Sequence, residues 1–270
     1  MRGFITAMRT LTIIPLPGKE GQRFSVSMVW FPMVGLILGL IIYGLGLLWV
    51  TLLSIDWTWG GAAVLLIVQV ILTRGLHLDG LADWADALGV QREKASRLAV
   101  MKDPRVGAFG VLALIAVFLA KWVAFERLLS TNAFIWVMFI MIISRDMMVL
   151  LMTTLPYARS EEGMASPFIK DISPGQKIWA HIICLILCLF AGPPGLVLYG
   201  LGWIITGFLR SSFKHGFGGI TGDLLGTTNE IVEVILLWIC AIHGQFMMAY
   251  TGWGWVSMDN YLYPIYLHSF

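Results

Sequence analysis

Apolar residues run along this chain in long unbroken blocks, without the two-residue alternation of a half-buried strand. The blocks fall at roughly 28–53, 59–76, 106–127, 133–155, 177–192, 194–211 and 230–250. A helix crosses the hydrocarbon core with about 20 apolar residues, and lipid admits only helices or closed barrels. Continuous blocks specify helices. The pattern therefore predicts an all-α, polytopic transmembrane bundle of about seven spans in a single domain, residues 1–270. The fifth and sixth blocks are short, and Gly192-Pro193-Pro194-Gly195 separates them. Proline ends a helix and forces a turn, which favours two short spans. One long kinked helix would leave six spans and move the C-terminus to the other side. No internal repeat, low-complexity tract or linker interrupts the chain.

Composition supports the bilayer reading. Hydrophobic residues make up 58% of the 270 and charged residues 13%; mean hydropathy is +0.82. Soluble domains carry about 25% charged residues. A net charge of +2 gives no nucleic-acid footprint. Cys184, Cys188 and Cys240 all lie in apolar runs, without metal or disulfide spacing, and read as packing residues. Residues 1–23 lack the three-part pattern of a signal peptide. The basic residues then set the orientation. Of the 18 Lys and Arg, all except Lys121, Arg127 and Arg145 fall in the N-terminal segment or in the loops after the second, fourth and sixth spans. Cytoplasmic loops are the ones rich in Lys and Arg, so the N-terminus is expected inside and the C-terminus outside. The tail from Trp253 to Phe270, which lies outside the residues described below, holds no Lys or Arg and carries Tyr261, Tyr263 and Tyr266; it is expected to lie at the outer interface as an aromatic belt.

Four polar segments lie on the predicted inner side. In His77-Leu-Asp-Gly-Leu-Ala-Asp-Trp-Ala-Asp86 the acids Asp79, Asp83 and Asp86 sit at i, i+4 and i+7. That spacing puts them on one helical face. A divalent cation would relieve their repulsion, and an all-oxygen set suits magnesium; a solvated face paired with lysines is the plainer alternative. Met101-Lys-Asp-Pro-Arg-Val-Gly-Ala-Phe-Gly110 is a turn into the third span. Its Lys102 and Arg105 either face phosphate, with helix-start amides assisting, or anchor the membrane surface. The third segment is Tyr157-Ala-Arg-Ser-Glu-Glu-Gly-Met164 and the fourth Gly218-Gly-Ile-Thr-Gly-Asp-Leu-Leu-Gly-Thr-Thr-Asn-Glu-Ile-Val-Glu233, read as a glycine-rich loop before the last span. Asp223, Asn229, Glu230 and Glu233 add oxygen ligands, and Asn229 and Glu233 lie one turn apart. Within the spans stand Lys121, Arg145 and Asp146. Charge at that depth costs roughly 2.5–3.5 kcal/mol on insertion scales. Such residues face the bundle interior or a wet cavity: Arg145 is expected to reach an anionic substrate or pair with an acid, Asp146 to face elsewhere, and Lys121 to lie inside or, more plainly, to snorkel outward.

Together these segments resemble the cobalamin synthase family, the adenosylcobinamide-GDP ribazoletransferases, over nearly the whole chain. His77 to Asp86 is very close to the family's His-Leu-Asp-Gly-Leu-Ala-Asp-Thr-x-Asp-Gly, and Lys102 to Gly110 is similar to its (Lys/Arg)-Asp-Ser-Arg-(Ile/Leu)-Gly. Tyr157-Ala-Arg159 with Glu161-Glu-Gly163 looks like its Tyr-Ala-Arg-Glu-Glu-Gly. Gly218 to Gly226 looks like its Gly-Gly-x-Thr-Gly-Asp-x-Leu-Gly, and Asn229, Glu230 and Glu233 continue the pattern. Departures are Arg74, Trp84, Ala87-Leu-Gly89, Pro104, the extra Ser160 and Asp146; none removes a carboxylate.

The resemblance implies an integral-membrane transferase of a bacterial or archaeal cell (inner) membrane, with its active site on the cytoplasmic face. It would join adenosylcobinamide-GDP to α-ribazole or its 5′-phosphate and release GMP, late in cobalamin biosynthesis. Its implied cofactor is Mg2+. The expected metal ligands are Asp79, Asp83 and Asp86, completed by Asp223 and Glu230. Lys102, Arg105, Arg145 and Arg159 are expected on the phosphates, with Glu161, Thr221 and Asn229 lining the nucleotide site. A carboxylate such as Asp83 or Asp86, or else His77, would accept the hydroxyl proton. No nucleic-acid partner is implied, and oligomeric state is left open. Two rivals fit less well. A CDP-alcohol phosphotransferase sets its first two aspartates three positions apart, where Asp79 and Asp83 are four apart, and needs an Ala-Arg at an offset that this segment does not meet. A cation transporter would hold its acids at the bilayer midplane, whereas only Asp146 lies deep.

Overall fold

The structure is a computed structural model and describes residues 2–21, 23–52, 57–89, 93–159, 163, 165–169 and 172–252. The described helices are α1 (Arg2–Leu11), α2 (Phe31–Leu47), α3 (Thr58–Thr73), α4 (Leu76–Gly89), α5 (Lys94–Val100), α6 (Ala108–Ser130), α7 (Trp136–Thr154), α8 (Ser166–Ile169), α9 (Pro174–Leu189), α10 (Gly192–Phe217) and α11 (Gly222–Met248). A 3-10 turn, Phe24–Trp30, leads into α2 and a π turn, Leu48–Leu52, leaves it.

Five stretches are long and apolar enough to cross a membrane: Phe24–Thr51, Ala108–Ser130, Trp136–Thr154, Gly192–Phe217 and Gly222–Met248. The α3–α4 pair passes the same test but is bent by 89°. Thus α3 and α4 meet nearly at right angles instead of forming one straight span. Gly175–Leu189 is a shorter apolar helix. Among the described residues each apolar block contains a helix, although only five stretches reach full spanning length by themselves. The bilayer as solvent explains their outward faces: Ile67, Leu112, Ile204 and Phe208 are all more than half exposed.

At the centre lies α7, packed against α2, α9, α10 and α11. Ile140, Met141, Ile142, Ile143, Met147 and Val149 are fully buried on it. Its contact with α2 depends on Gly35 and Gly39. A Cβ at Gly39 would lie 2.6 Å from the Met138 Cα, and one at Gly35 would overlap the Met141 carbonyl. Small residues four apart let helices approach where lipid supplies no hydrophobic drive.

The expected break holds: Gly192 adopts φ +65° and prolines open α10. The bend between α3 and α4 is made by Arg74 and Gly75, both at positive φ. Arg74 donates to the Arg9 and Thr10 carbonyls at 3.0 and 3.1 Å, placing a cation on the C-terminal end of α1. All three cysteines are free and buried, as their apolar settings suggested. Two boundaries differ from the hydropathy pattern: α10 continues to Phe217, and α11 starts at Gly222 rather than near 230. The polar start of α11 hid it. Thr221 caps it through Oγ1, accepting from the Leu224 amide at 3.2 Å, and Asp223 occupies its first turn.

Candidate active site

The site begins where α4 crosses α11. A Cβ at Gly80 would lie 2.5 Å from the Asp223 carbonyl oxygen and 2.7 Å from its Cα, and one at Gly226 would lie 3.0 Å from the His77 Cα. The two helices meet backbone to backbone because glycine stands at both points. Thr227 Oγ1 fixes the crossing, within 3.0 Å of the Gly80 carbonyl and 2.8 Å of the Asp223 carbonyl. Gly80→Ala is expected to push the helices apart, costing about 1–3 kcal/mol and lowering catalytic turnover with it. Melting and turnover measured together test this; a variant normal in both would show that the crossing is not tight.

The crossing brings Asp223 beside the α4 acids. Asp79 is exposed, while Asp83, Asp86 and Asp223 are half-buried. Burial pushes the Asp83 carboxyl up to about 7; Asp223, Asp79 and Asp86 add to the rise, and Arg159 opposes it. One carboxyl thus sits among three others, with a single guanidinium nearby.

Two loops close around it. The segment after α7 pairs with the segment before α11: the Ala158 amide donates to the Ile220 carbonyl at 2.8 Å, and the Ile220 amide to the Pro156 carbonyl at 2.9 Å. This carries Arg159 onto Asp223, 2.8 Å from Oδ2, with a second donation to the Met101 carbonyl at 3.3 Å. On the other side, Asp86 accepts the Gly107 amide at 2.7 Å and the Gly110 amide at 2.8 Å. The result is a ring of contacts: α4, the Met101–Gly107 loop, Arg159, Asp223, and back to α4 at Gly80. Lys102 is exposed on this loop. Arg105 is 87% exposed and forms a local pair with Asp103 at 2.6 Å, which holds the Asp103 carboxyl down to about 2. Thr221 Oγ1 lies 3.3 Å from Asp223 Oδ2. Glu161 lies outside the described residues.

Other expected site residues lie in a second, buried group. Glu233 accepts from Gln69 of α3, Lys121 of α6 at 2.8 Å, Arg145 of α7 at 2.8 Å and Asn229 at 3.4 Å. Glu230 turns to Lys121 at 2.6 Å rather than toward the aspartates. Lys121 is buried and takes the interior alternative rather than the outward snorkel; two carboxylates satisfy its ammonium inside the bundle. Arg145 takes the acid-pairing alternative, and Asp146 faces away to His181 (2.8 Å) and Tyr199 (3.1 Å). His77 is buried against α11, and neither ring nitrogen has a hydrogen-bond partner among the described residues. Trp84 packs edge-on to Phe213. Sequence reasoning missed Gln69 and the capping role of Asp86; Gly107 and Gly110 were the only signal for the latter.

Among the described residues, no three His, Cys, Asp or Glu side chains are gathered closely enough to hold an ion alone. A magnesium ion needs no such cluster, since one or two carboxylates, waters and substrate phosphates can complete its shell. The half-buried Asp83, crowded by like charge, fits such a ligand.

Comparison with known proteins settles the family. The family model described as cobalamin-5-phosphate synthase matches residues 3–241. The chain belongs to the cobalamin-5-phosphate synthase family. Curated relatives agree along their length. A protein of Chlorobium phaeobacteroides (strain BS1), named adenosylcobinamide-GDP ribazoletransferase, is 41% identical over 249 residues, covering 90% of this chain and 98% of that one. The protein of the same name from Chlorobium chlorochromatii (strain CaD3) is 44% identical over 244 residues, covering 88% and 94%. That of Syntrophobacter fumaroxidans (strain DSM 10017 / MPOB) is 35% identical over 246 residues, covering 87% and 96%. No solved structure matches the chain. All four segments that meet at the aspartate ring lie inside the cobalamin-5-phosphate synthase match.

Proposed function

We propose that this protein is an adenosylcobinamide-GDP ribazoletransferase, moving the phosphocobinamide group of adenosylcobinamide-GDP onto α-ribazole or its 5′-phosphate with release of GMP. The carrying observation is the ring itself. Four segments are tied into one ring beside Asp83 through Asp86–Gly107, Met101–Arg159 and Arg159–Asp223, and they are the segments that carry the family resemblance. Relatives of that name match over nearly their full length.

In this reading a ribose hydroxyl of the acceptor attacks the phosphorus on the cobinamide side of the pyrophosphate. The new P–O bond replaces the anhydride bond, GMP leaves with the electron pair, and the hydroxyl proton passes to a carboxylate. Such chemistry depends on positioning and charge neutralisation. Asp79, Asp83 and Asp223 are the proposed holders of Mg2+, which when bound neutralises phosphate charge and stabilises the departing phosphate. Lys102 and Arg159 are the proposed partners of the nucleotide phosphates; Arg159 would share its guanidinium with Asp223, and Arg105 would first have to leave Asp103. The buried group around Glu233 braces the helices beneath. The excess of Lys and Arg in the loops at this end supports a cytoplasmic-facing site in the cell membrane.

Purified protein in lipid nanodiscs should release GMP from adenosylcobinamide-GDP only with acceptor and Mg2+ present. Removal of metal with EDTA should stop release, and added Mg2+ should restore it. Turnover undiminished after chelation would refute the metal, and no GMP release from folded protein would refute the transfer.

A further inference from the structure

Asp86 differs from the two acids that share its helical face. At an ordinary helix start the N-cap side chain accepts the backbone amide three residues on. The N-cap of α6 is Gly107, extended at φ −89° and ψ 178°, with no side chain to do this. Asp86 does it from α4. Its Oδ1 accepts the Gly110 amide, the third of α6, at 2.8 Å, and its Oδ2 accepts the Gly107 amide at 2.7 Å. Both glycines are required by that arrangement. A Cβ at Gly107 would lie 2.5 Å from Oδ1, and one at Gly110 would lie 2.5 Å from Oδ2. The charge also falls at the positive end of a 23-residue helix.

We infer that Asp86 is a positioning residue, the N-cap of α6 supplied in trans, and that metal binding among the α4 acids falls to Asp79 and Asp83. The inference rests on the transferase reading for its activity arm alone. Holding Gly107 fixes the end of the loop whose Met101 carbonyl accepts Arg159, and Arg159 in turn holds Asp223. Losing the clasp loosens the ring without removing a metal ligand.

A local cap can replace the remote one. In Asp86→Ala the side chain blocking a Cβ at residue 107 is gone, and the extended backbone there suits a serine cap. The test compares wild type, Asp86→Ala, Asp86→Asn and the double variant Asp86→Ala/Gly107→Ser. Hydrogen exchange at the Gly110 amide is read beside GMP release and its Mg2+ dependence. Asp86→Ala is expected to speed exchange at Gly110 by about fivefold or more, the factor for a lost cap of ordinary strength. It should lower kcat while the half-saturating Mg2+ stays within about twofold. The double variant should return both exchange and kcat to within about threefold of wild type. Asp86→Asn, which keeps one acceptor oxygen, should fall between.

A double variant that restores protection at Gly110 but stays as inactive as Asp86→Ala would overturn the inference. So would wild-type exchange in Asp86→Ala, or an Asp86→Asn protein fully protected at Gly110 yet inactive. If Asp86→Ala does not fold, the asparagine variant decides by the same pair of readings. Should wild type itself release no GMP, the transferase reading fails, and exchange alone still judges the cap.

Discussion

Asp83→Asn is expected to abolish GMP release while leaving the protein folded and inserted. The substitution keeps size and one acceptor oxygen but removes the charge that would hold a cation. Asp83 occupies the middle of the ring, with Asp79, Asp86 and Asp223 as its charged neighbours and Arg159 as counter-charge. Without the cation that Asp83 would hold at the reacting phosphate, turnover should fall by at least about two to three powers of ten, or ~3–4 kcal/mol in the barrier, which a GMP assay reads as loss of release. Stability should move the other way or hardly at all, since the substitution relieves repulsion among crowded carboxylates. Turnover and melting in nanodiscs separate the two effects. Near-normal activity in this variant would sink the metal assignment, and a collapsed melting curve would make Asp83 structural.

Glu233→Leu should have the largest effect on stability. One carboxylate there answers donors from α3, α6, α7 and its own helix. Removing it strands Arg145, whose only ion pair among the described residues is with Glu233. Lys121 keeps Glu230. Breaking a buried pair from one side costs about 3–5 kcal/mol, because an uncompensated charge is left behind. The double variant Glu233→Leu/Arg145→Leu should recover part of that loss, the sign of direct coupling. A single variant melting within about 2 °C of wild type would show that the group contributes little.

Much of this was legible in the sequence, and the limits have physical causes. Apolar blocks marked the helices, Gly192-Pro193-Pro194 marked the break, and three acids at helical spacing marked the face that became the ring. The start of α11 was not legible from hydropathy because its first two turns are polar, although Thr221 and Asp223 are ordinary start signals. Lys121, Arg145 and Glu230 announced charge at depth, but a sequence names no partners, and the pairing arose from packing α6, α7 and α11 together. The glycines were visible as glycines. Their purpose was not, since Gly80 meets Asp223 and Gly107 meets Asp86 only after folding.

The crossing at Gly80 also dictates when the site can exist. Thr227 and Gly80, bonded across it, are separated by 147 residues. A chain made from its N-terminus inserts the α4 acids long before their partner Asp223 leaves the ribosome. Until α11 docks, the acids near Asp83 lack both Asp223 and the Arg159 it holds. A truncated or stalled chain can therefore carry every acid of α4 and still lack the Arg159–Asp223 half of the ring.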